Sequence, residues 1–337
     1  MEITLSYPGQ TLQKVSQSAE NTGPLEPSQT HQKIARITDF AARSLATSAA
    51  VSIVLVLIAL VYYQGKLAWP SITAFGWQFL IRSEWDPIAD SFGVFPFLVG
   101  TLASSFLAIL IAAPFGIGTA LFLTELAPKS LRQPVSFVVE MLGAIPSVVY
   151  GLIGIFLLAP VMRDVIGPFL NTYLGWIPLF AGRSHGVGLL TAALVLAVMI
   201  VPFITAISRE ILAAVPADLK AGSYALGATK WETIWHVVLP YARVGIGGGI
   251  IMALGRALGE TMAVTMVIGN SNMIPRSVLE PSNSMAAVIA MQFSEASSLL
   301  QLGALVHVGL VLFLVAVMMN LLARWVLSSK AAHGVRA

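Results

Sequence analysis

Six separate stretches of this chain are apolar for long enough to cross the hydrocarbon core of a bilayer, and nothing else in it limits the fold so strongly. A crossing helix takes roughly 20 apolar residues. The stretches run approximately over 46–64, 94–124, 136–161, 186–208, 244–269 and 299–323. Of the 337 residues, 57% are hydrophobic and only 10% charged, where a soluble domain carries about 25% charged residues. The fold class expected is therefore an all-α integral membrane protein with six transmembrane helices. The second stretch is long for one crossing and contains Pro114, so it is expected to kink or to project beyond the membrane.

Basic residues set the orientation. With the N-terminus inside, thirteen lysines and arginines fall in inner segments, five in outer ones (Lys66, Arg82, Arg163, Arg183, Arg276), and Arg256 stands within a span. Such a bias predicts both termini inside. Residues 1–45 form an inner tail, rich in Ser, Gln, Thr, Pro and Glu to about Thr30 and expected to be disordered there. Its 31–45 portion has the pattern of an amphipathic helix on the membrane surface. A polar tail this long before the first span argues against a cleaved signal. The transmembrane domain is placed at 46–327, with a short inner tail at 328–337.

Several function classes are excluded or disfavoured by what is missing. The chain has no cysteine, which removes disulfides, thiolate metal sites and a Cys nucleophile. Its net charge of +3 is too small to point to nucleic acid. No G-x-x-x-x-G-K-[ST] occurs, so ATP used in any transport must be hydrolysed by another subunit. The histidines (His31, His185, His236, His307, His333) have no metal-ligand spacing. His307, alone on an apolar helix, is expected to be a hydrogen-bonded packing residue. Glu140, near the start of the third stretch, is expected to cap or line the inner vestibule. No catalytic or metal site is expected, and no enzyme activity.

The inner segment 209–243 reads "REILAAVPADLKAGSYALGATKWETIWHVVLPYAR". Periodicity gives two short helices, about 217–226 after Pro216 and about Lys230 to Val238, meeting near Gly227. Pro240 is expected to break the chain before the fifth span. By pattern alone this is a helix–turn–helix lying on the membrane. The spacing adds more: a small-residue patch (Ala221, Gly222, Ser223), Gly227 four positions on, then Val237-Val238-Leu239-Pro240. It resembles the coupling loop of ABC importer permeases, in which a short helix docks into a cleft of the ATP-hydrolysing subunit. Ala221 stands where that family usually has Glu. Any ion pair from that position must be absent or supplied by Asp218, Lys220 or Glu232.

Four further motifs, "SEWDP" (83–87), "FLTELAP" (122–128), "PSVVYG" (146–151) and "GRALGETMAV" (255–264), occur in order with that loop. Together they resemble the phosphate-specific ABC transporter permeases of the PstC type over all but the N-terminal tail. The resemblance implies a type I ABC importer (MetI-like) permease fold in a bacterial inner membrane. It implies a homologous second permease (PstA type), two ATPase subunits (PstB type) that use ATP-Mg, and a phosphate-binding protein outside (PstS type). The long outer loops, around Glu84–Asp86 and 163–185, are candidates for docking that protein, although their apolar residues also suit the membrane interface. A third outer loop has helical spacing over 284–297 after an Asn283 or Ser284 cap.

Arg256 and Glu260 are four residues apart inside an apolar run. At ~1.5 Å per residue from Val244, Arg256 would lie about 18 Å deep, near mid-membrane. An ionised side chain there costs at least about 2.5–3.5 kcal/mol and so should face protein or water. Helical spacing of four would allow the two charges to pair on one face. A structural ion pair is the plain alternative to a functional site. The resemblance implies that this Arg-x-x-x-Glu lines the translocation path, with Thr261 the nearest hydroxyl. Other functions open at this stage are permeases for sulfate, molybdate or phosphonate, and a proton-coupled secondary transporter using Glu260.

Overall fold

The computed structural model describes the backbone of residues 29–334 and the side chains of 38–325. The tail predicted as disordered therefore lies almost wholly outside the described residues, as does the end of the C-terminal tail. Six helices are long and apolar enough to cross a membrane: Thr38–Leu80, Phe95–Leu126, Ser147–Leu174, Leu189–Ala213, Lys230–Leu258 and Leu299–Trp325. The predicted number stands, but several boundaries move, each for a local reason.

The first helix, α1 (Gln29–Phe75), is unbroken. The predicted surface helix over 31–45 and the first span are thus one element, and the side chains before Thr38 lie outside the described residues. Every residue from 38 to 60 is exposed. Helix α2 (Phe95–Leu121) runs through Pro114 and ends in a π-turn, Phe122–Leu126. The third stretch is not one span. An amphipathic helix α3 (Lys129–Ala144) stops at Ile145, which is extended at φ −66°, ψ 131°. Pro146 causes this, because its ring disfavours helical backbone in the preceding residue. The span itself, α4 (Ser147–Leu174), begins after Pro146 and contains π-turns at Gly154–Leu158 and Met162–Ile166. Tyr150 bridges the break, its hydroxyl donating to the Leu142 carbonyl at 2.6 Å.

Helix α5 (Leu189–Ala213) is the centre of the bundle: 61% of its apolar window is buried, against a third or less for every other span. It packs most extensively against α2, around Ala108, Ala112, Leu196, Ile200 and Ile204, all fully buried. Close approach is obtained with small residues, as expected where lipid supplies no hydrophobic drive between helices. A Cβ on Gly116 would sit 2.7 Å from Ile204 Cγ2. The Thr205 hydroxyl donates across the same contact to the Gly116 carbonyl at 3.2 Å. Alanine at 116 would overpack the crossing, at about 1–3 kcal/mol.

After α5 come the short helix α6 (Ala217–Ala225) and α7 (Lys230–Leu258). Pro240 does not break α7. The turn Ile234–Val238 just before it is a π-turn, and the proline sits within the first turn of the helix that follows, where its missing N–H costs little. The fifth span ends instead at Leu258, capped by Gly259 and eleven residues short of the predicted 269, and a six-residue helix α8 (Met262–Val267) follows. An outer-loop helix, α9 (Met285–Gln292), is capped by Ser284, whose hydroxyl accepts from Ala287 N at 3.1 Å, as the spacing predicted. The last helix is α10 (Leu299–Gly334). His307 on it stacks on Phe79 at 4.0 Å and meets Ser71 Oγ at 3.1 Å, a packing role as predicted.

The segment between α1 and α2 carries a two-residue hairpin, Trp85–Asp86 against Ser91–Phe92. Trp85 is 7% exposed and donates from Nε1 to Gln292 Oε1 at 2.8 Å, joining the hairpin to α9. Asp86 Oδ1 accepts from Ile88 N at 2.8 Å, and Glu84 Oε2 accepts from the Ser91 hydroxyl at 2.9 Å. The acids of "SEWDP" thus shape their own turn.

Candidate functional site

The two charges of "GRALGETMAV" do not pair. Arg256 lies in the last turn of α7 with its side chain exposed, and among the described residues it has no ion pair and no side-chain hydrogen bond. Gly259 ends the helix, so Glu260 leaves the face that the four-residue spacing assigned to it. Its carboxylate turns forward instead, and Oε1 accepts from Ala263 N at 3.3 Å in the first turn of α8. Each charge complements a helix end: a cation at the C-terminus of α7, an anion at the N-terminus of α8. This one break corrects the sequence-based pairing and sets Arg256 in the last turn of α7.

A line of polar groups continues from the break. Thr261 is partly buried, and its hydroxyl donates to the Gly259 carbonyl at 3.3 Å. The Thr265 hydroxyl donates to the Thr261 carbonyl at 2.7 Å, and Asn270 Nδ2 donates to the Thr265 carbonyl at 2.9 Å. Asn270 holds φ +52°, and its buried Oδ1 has no hydrogen-bond partner among the described residues. On α10, the carboxamide of Asn320 approaches Gly255, where an added Cβ would meet Nδ2 at 3.6 Å. Thr265, Asn270 and Asn320 were not singled out from the sequence. The signal for Asn320 was available, since it is an amide in an otherwise apolar run.

The second candidate element is the 209–243 segment. Helix α6 and the start of α7 lie where periodicity placed them, and Gly227 between them adopts φ +86°. That backbone conformation is easy for glycine and strained for other residues. Thr229 and Glu232 form a capping box: Glu232 N donates to Thr229 Oγ1 at 3.3 Å and Thr229 N to Glu232 Oε2 at 2.7 Å. Ala221, Gly222 and Gly227 are exposed, Ser223 and Leu239 partly buried, and Pro240 exposed. Leu226, 91% exposed, projects beside the turn.

Of the three residues proposed to replace the acid missing at Ala221, two are engaged within the chain. Lys220 pairs with Glu125 at 2.5 Å, with side chains 21% and 11% exposed. Glu232 belongs to the capping box. Asp218 is exposed and, among the described residues, has no side-chain partner. Glu140 also has a partner: its carboxylate accepts from Arg209 Nη2 at 2.9 Å, tying α3 to the end of α5.

Known proteins resemble the chain in both sequence and fold. Residues 112–329 match the family described as binding-protein-dependent transport system inner membrane component. The phosphate transport system permease protein PstC of Pasteurella multocida is 49% identical over 261 residues, which covers 76% of this chain and 81% of that protein. Its counterpart in Mesorhizobium japonicum is 45% identical over 288 residues, covering 83% and 88%. A protein described as a probable PstC, from Methanocaldococcus jannaschii, is 34% identical over 304 residues, covering 88% and 96%. Among solved structures, a bacterial alginate ABC transporter bound to its periplasmic protein aligns with TM-score 0.56 at 19% identity, covering 87% of this chain and 94% of that one. That last likeness concerns the fold alone.

Proposed function

The chain belongs to the family of binding-protein-dependent transport system inner membrane components and, within it, to the PstC-type phosphate permeases; from that premise we propose how it holds and passes its substrate. It is the permease subunit of an ATP-driven phosphate importer, a multi-pass protein of the inner membrane with the type I ABC importer permease fold. The substrate path is lined by Arg256, Glu260 and Thr261. One observation carries that assignment: the Arg256 guanidinium, in an apolar helix, is left without any partner among the described residues. A planar fork of donors matches phosphate oxygens, and its attraction grows as the surroundings become less polar.

Glu260 acts in selection. One carboxylate oxygen is engaged by the Ala263 amide, and the other accepts a hydrogen bond from a protonated phosphate oxygen. Sulfate at neutral pH carries no such proton and is repelled. The negative charge also keeps the anion from binding Arg256 too tightly to leave. Neither residue is consumed, and the chain itself performs no hydrolysis.

Both termini lie on the cytoplasmic side, supported by the basic-residue bias. The exposed face of α6, with Gly227 and Leu226 beside it, docks on an ATPase subunit of the PstB type, which supplies ATP-Mg chemistry. A PstA-type permease completes the path, and a PstS-type phosphate-binding protein docks on the outer loops around Glu84–Asp86 and 163–185. Competition uptake into proteoliposomes holding the assembled complex tests the substrate: labelled phosphate should be displaced by phosphate and arsenate but not by sulfate or molybdate. Uptake that persists without ATP and follows a proton gradient would replace this account with a secondary transporter using Glu260.

A further inference from the structure

Helix α6 is attached to two different spans through side chains three positions apart, and we infer that these attachments decide which spans receive the ATPase's movement. Glu125 and Thr233 are then positioning residues for coupling. The inference rests on the assignment of 209–243 as the segment that meets the ATPase.

The first attachment is the ion pair between Lys220 on α6 and Glu125, with the Glu125 side chain only 11% exposed. Glu125 stands in the π-turn that ends α2. The second is the hydrogen bond between Ser223 on α6 and Thr233 at the base of α7, 3.0 Å between hydroxyls, with Thr233 1% exposed. Thr233 directly precedes the π-turn Ile234–Val238. Lys220 and Ser223 share one helical face, so that face is held by the spans. Ala221, Gly222, Tyr224 and Leu226 remain exposed for a partner.

The two spans held in this way have different tasks. Helix α2 packs along α5, the centre of the bundle, whereas α7 carries Arg256 in its last turn. A displacement of α6 is therefore applied at once to the core and to the helix bearing the anion-binding charge. Both attachments fall at π-turns, where an extra residue interrupts the regular ladder and a helix can shift register locally. A pair this far from solvent also holds its distance better than a surface pair, because either charge left alone would be poorly solvated. The geometry gives Lys220 a role within the chain, not at the ATPase surface.

The experiment uses the complete complex in proteoliposomes, with the binding protein present, and reads phosphate imported per ATP hydrolysed. Glu125→Gln and Lys220→Met should each lower that ratio roughly fivefold or more, within the usual range of coupling between sites. The ATPase subunit should still co-purify in normal amount. The reversed pair, Glu125→Lys with Lys220→Glu, should restore most of the ratio, and Thr233→Val should lower it more mildly. An unchanged ratio in both single variants overturns the inference. So does a lowered ratio that the reversed pair fails to restore while the ATPase subunit falls away, since that outcome describes a folding or docking defect. If the unaltered chain retains no ATPase subunit at all, the assignment of the docking segment fails first, whatever the variants do.

Discussion

Lys220 and Arg256 are both single basic residues on short or ending helices, and they are treated in opposite ways. Lys220 is mostly buried and answered by Glu125 at 2.5 Å. Arg256 is exposed and, among the described residues, answered by nothing. The acid that the sequence offered to Arg256 is turned away to the next helix, while the acid that Lys220 meets comes from 95 residues earlier. At the predicted inner end, charge holds parts together. In the broken span, charge is kept available. A charge left unpaired in an apolar segment persists against a cost of a few kcal/mol, which supports the proposal that substrate meets Arg256.

The largest expected effect tests the available charge. Arg256→Gln should reduce phosphate import about 100-fold or more, the scale seen when a positioned charge is removed from a site it stabilises. Assembly and ATPase co-purification should be normal, and ordinary import in that variant would place Arg256 among the structural charges. Glu260→Gln should act next, narrowing the gap between phosphate and sulfate uptake by roughly tenfold, about 1.4 kcal/mol of discrimination. Competition uptake reads it directly, and preserved discrimination with full uptake would confine Glu260 to its contact with Ala263.

At the other region, Gly227→Ala forces a side chain into φ +86°, where a residue other than glycine costs about 1–2 kcal/mol. No neighbour would clash, because nothing lies within 4 Å of the added Cβ. The expected result is a modest fall in ATPase retention with phosphate recognition intact. Thr229→Ala removes the capping hydroxyl at the start of α7 and should lower stability by about 1 kcal/mol, measured as a small drop in the melting temperature of the detergent-solubilised chain. The smallest effect should come from Glu140→Gln: its pair with Arg209 is half-exposed on the glutamate side at 54%, and such pairs contribute about 0–1 kcal/mol.

Much of the fold was legible because apolar length and helix punctuation are local signals. Six spans, the helices on either side of Gly227, and the Ser284 cap all follow from residues near one another. Two breaks were missed for different reasons. Pro146 was legible in principle through its effect on Ile145 and was passed over inside a long apolar run. Gly259 carries no such warning, since the neighbouring glycines and alanines of α7, among them Gly248 and Gly255, remain helical. Glu260, just past the glycine that ends the helix, accepts from the Ala263 amide, a contact the spacing does not announce. The Lys220–Glu125 and Ser223–Thr233 contacts could not be read from spacing: one is long-range, and the other joins two helices whose mutual angle the sequence does not give.

The interruption at Gly259 has a consequence for water. The regular ladder is interrupted here: the Gly259 carbonyl accepts from the Thr261 hydroxyl and the Ala263 amide donates to Glu260 instead of to helical partners, and irregular backbone of this kind is tolerated at membrane depth only beside protein or a water-filled cavity. Residues 255–263 should therefore form a hydrated notch in an otherwise dry run. The chain contains no cysteine, so a single Cys placed along this segment would be its one thiol. Its labelling by a water-soluble maleimide would trace the wet face residue by residue, and bound phosphate should shield the positions nearest Arg256.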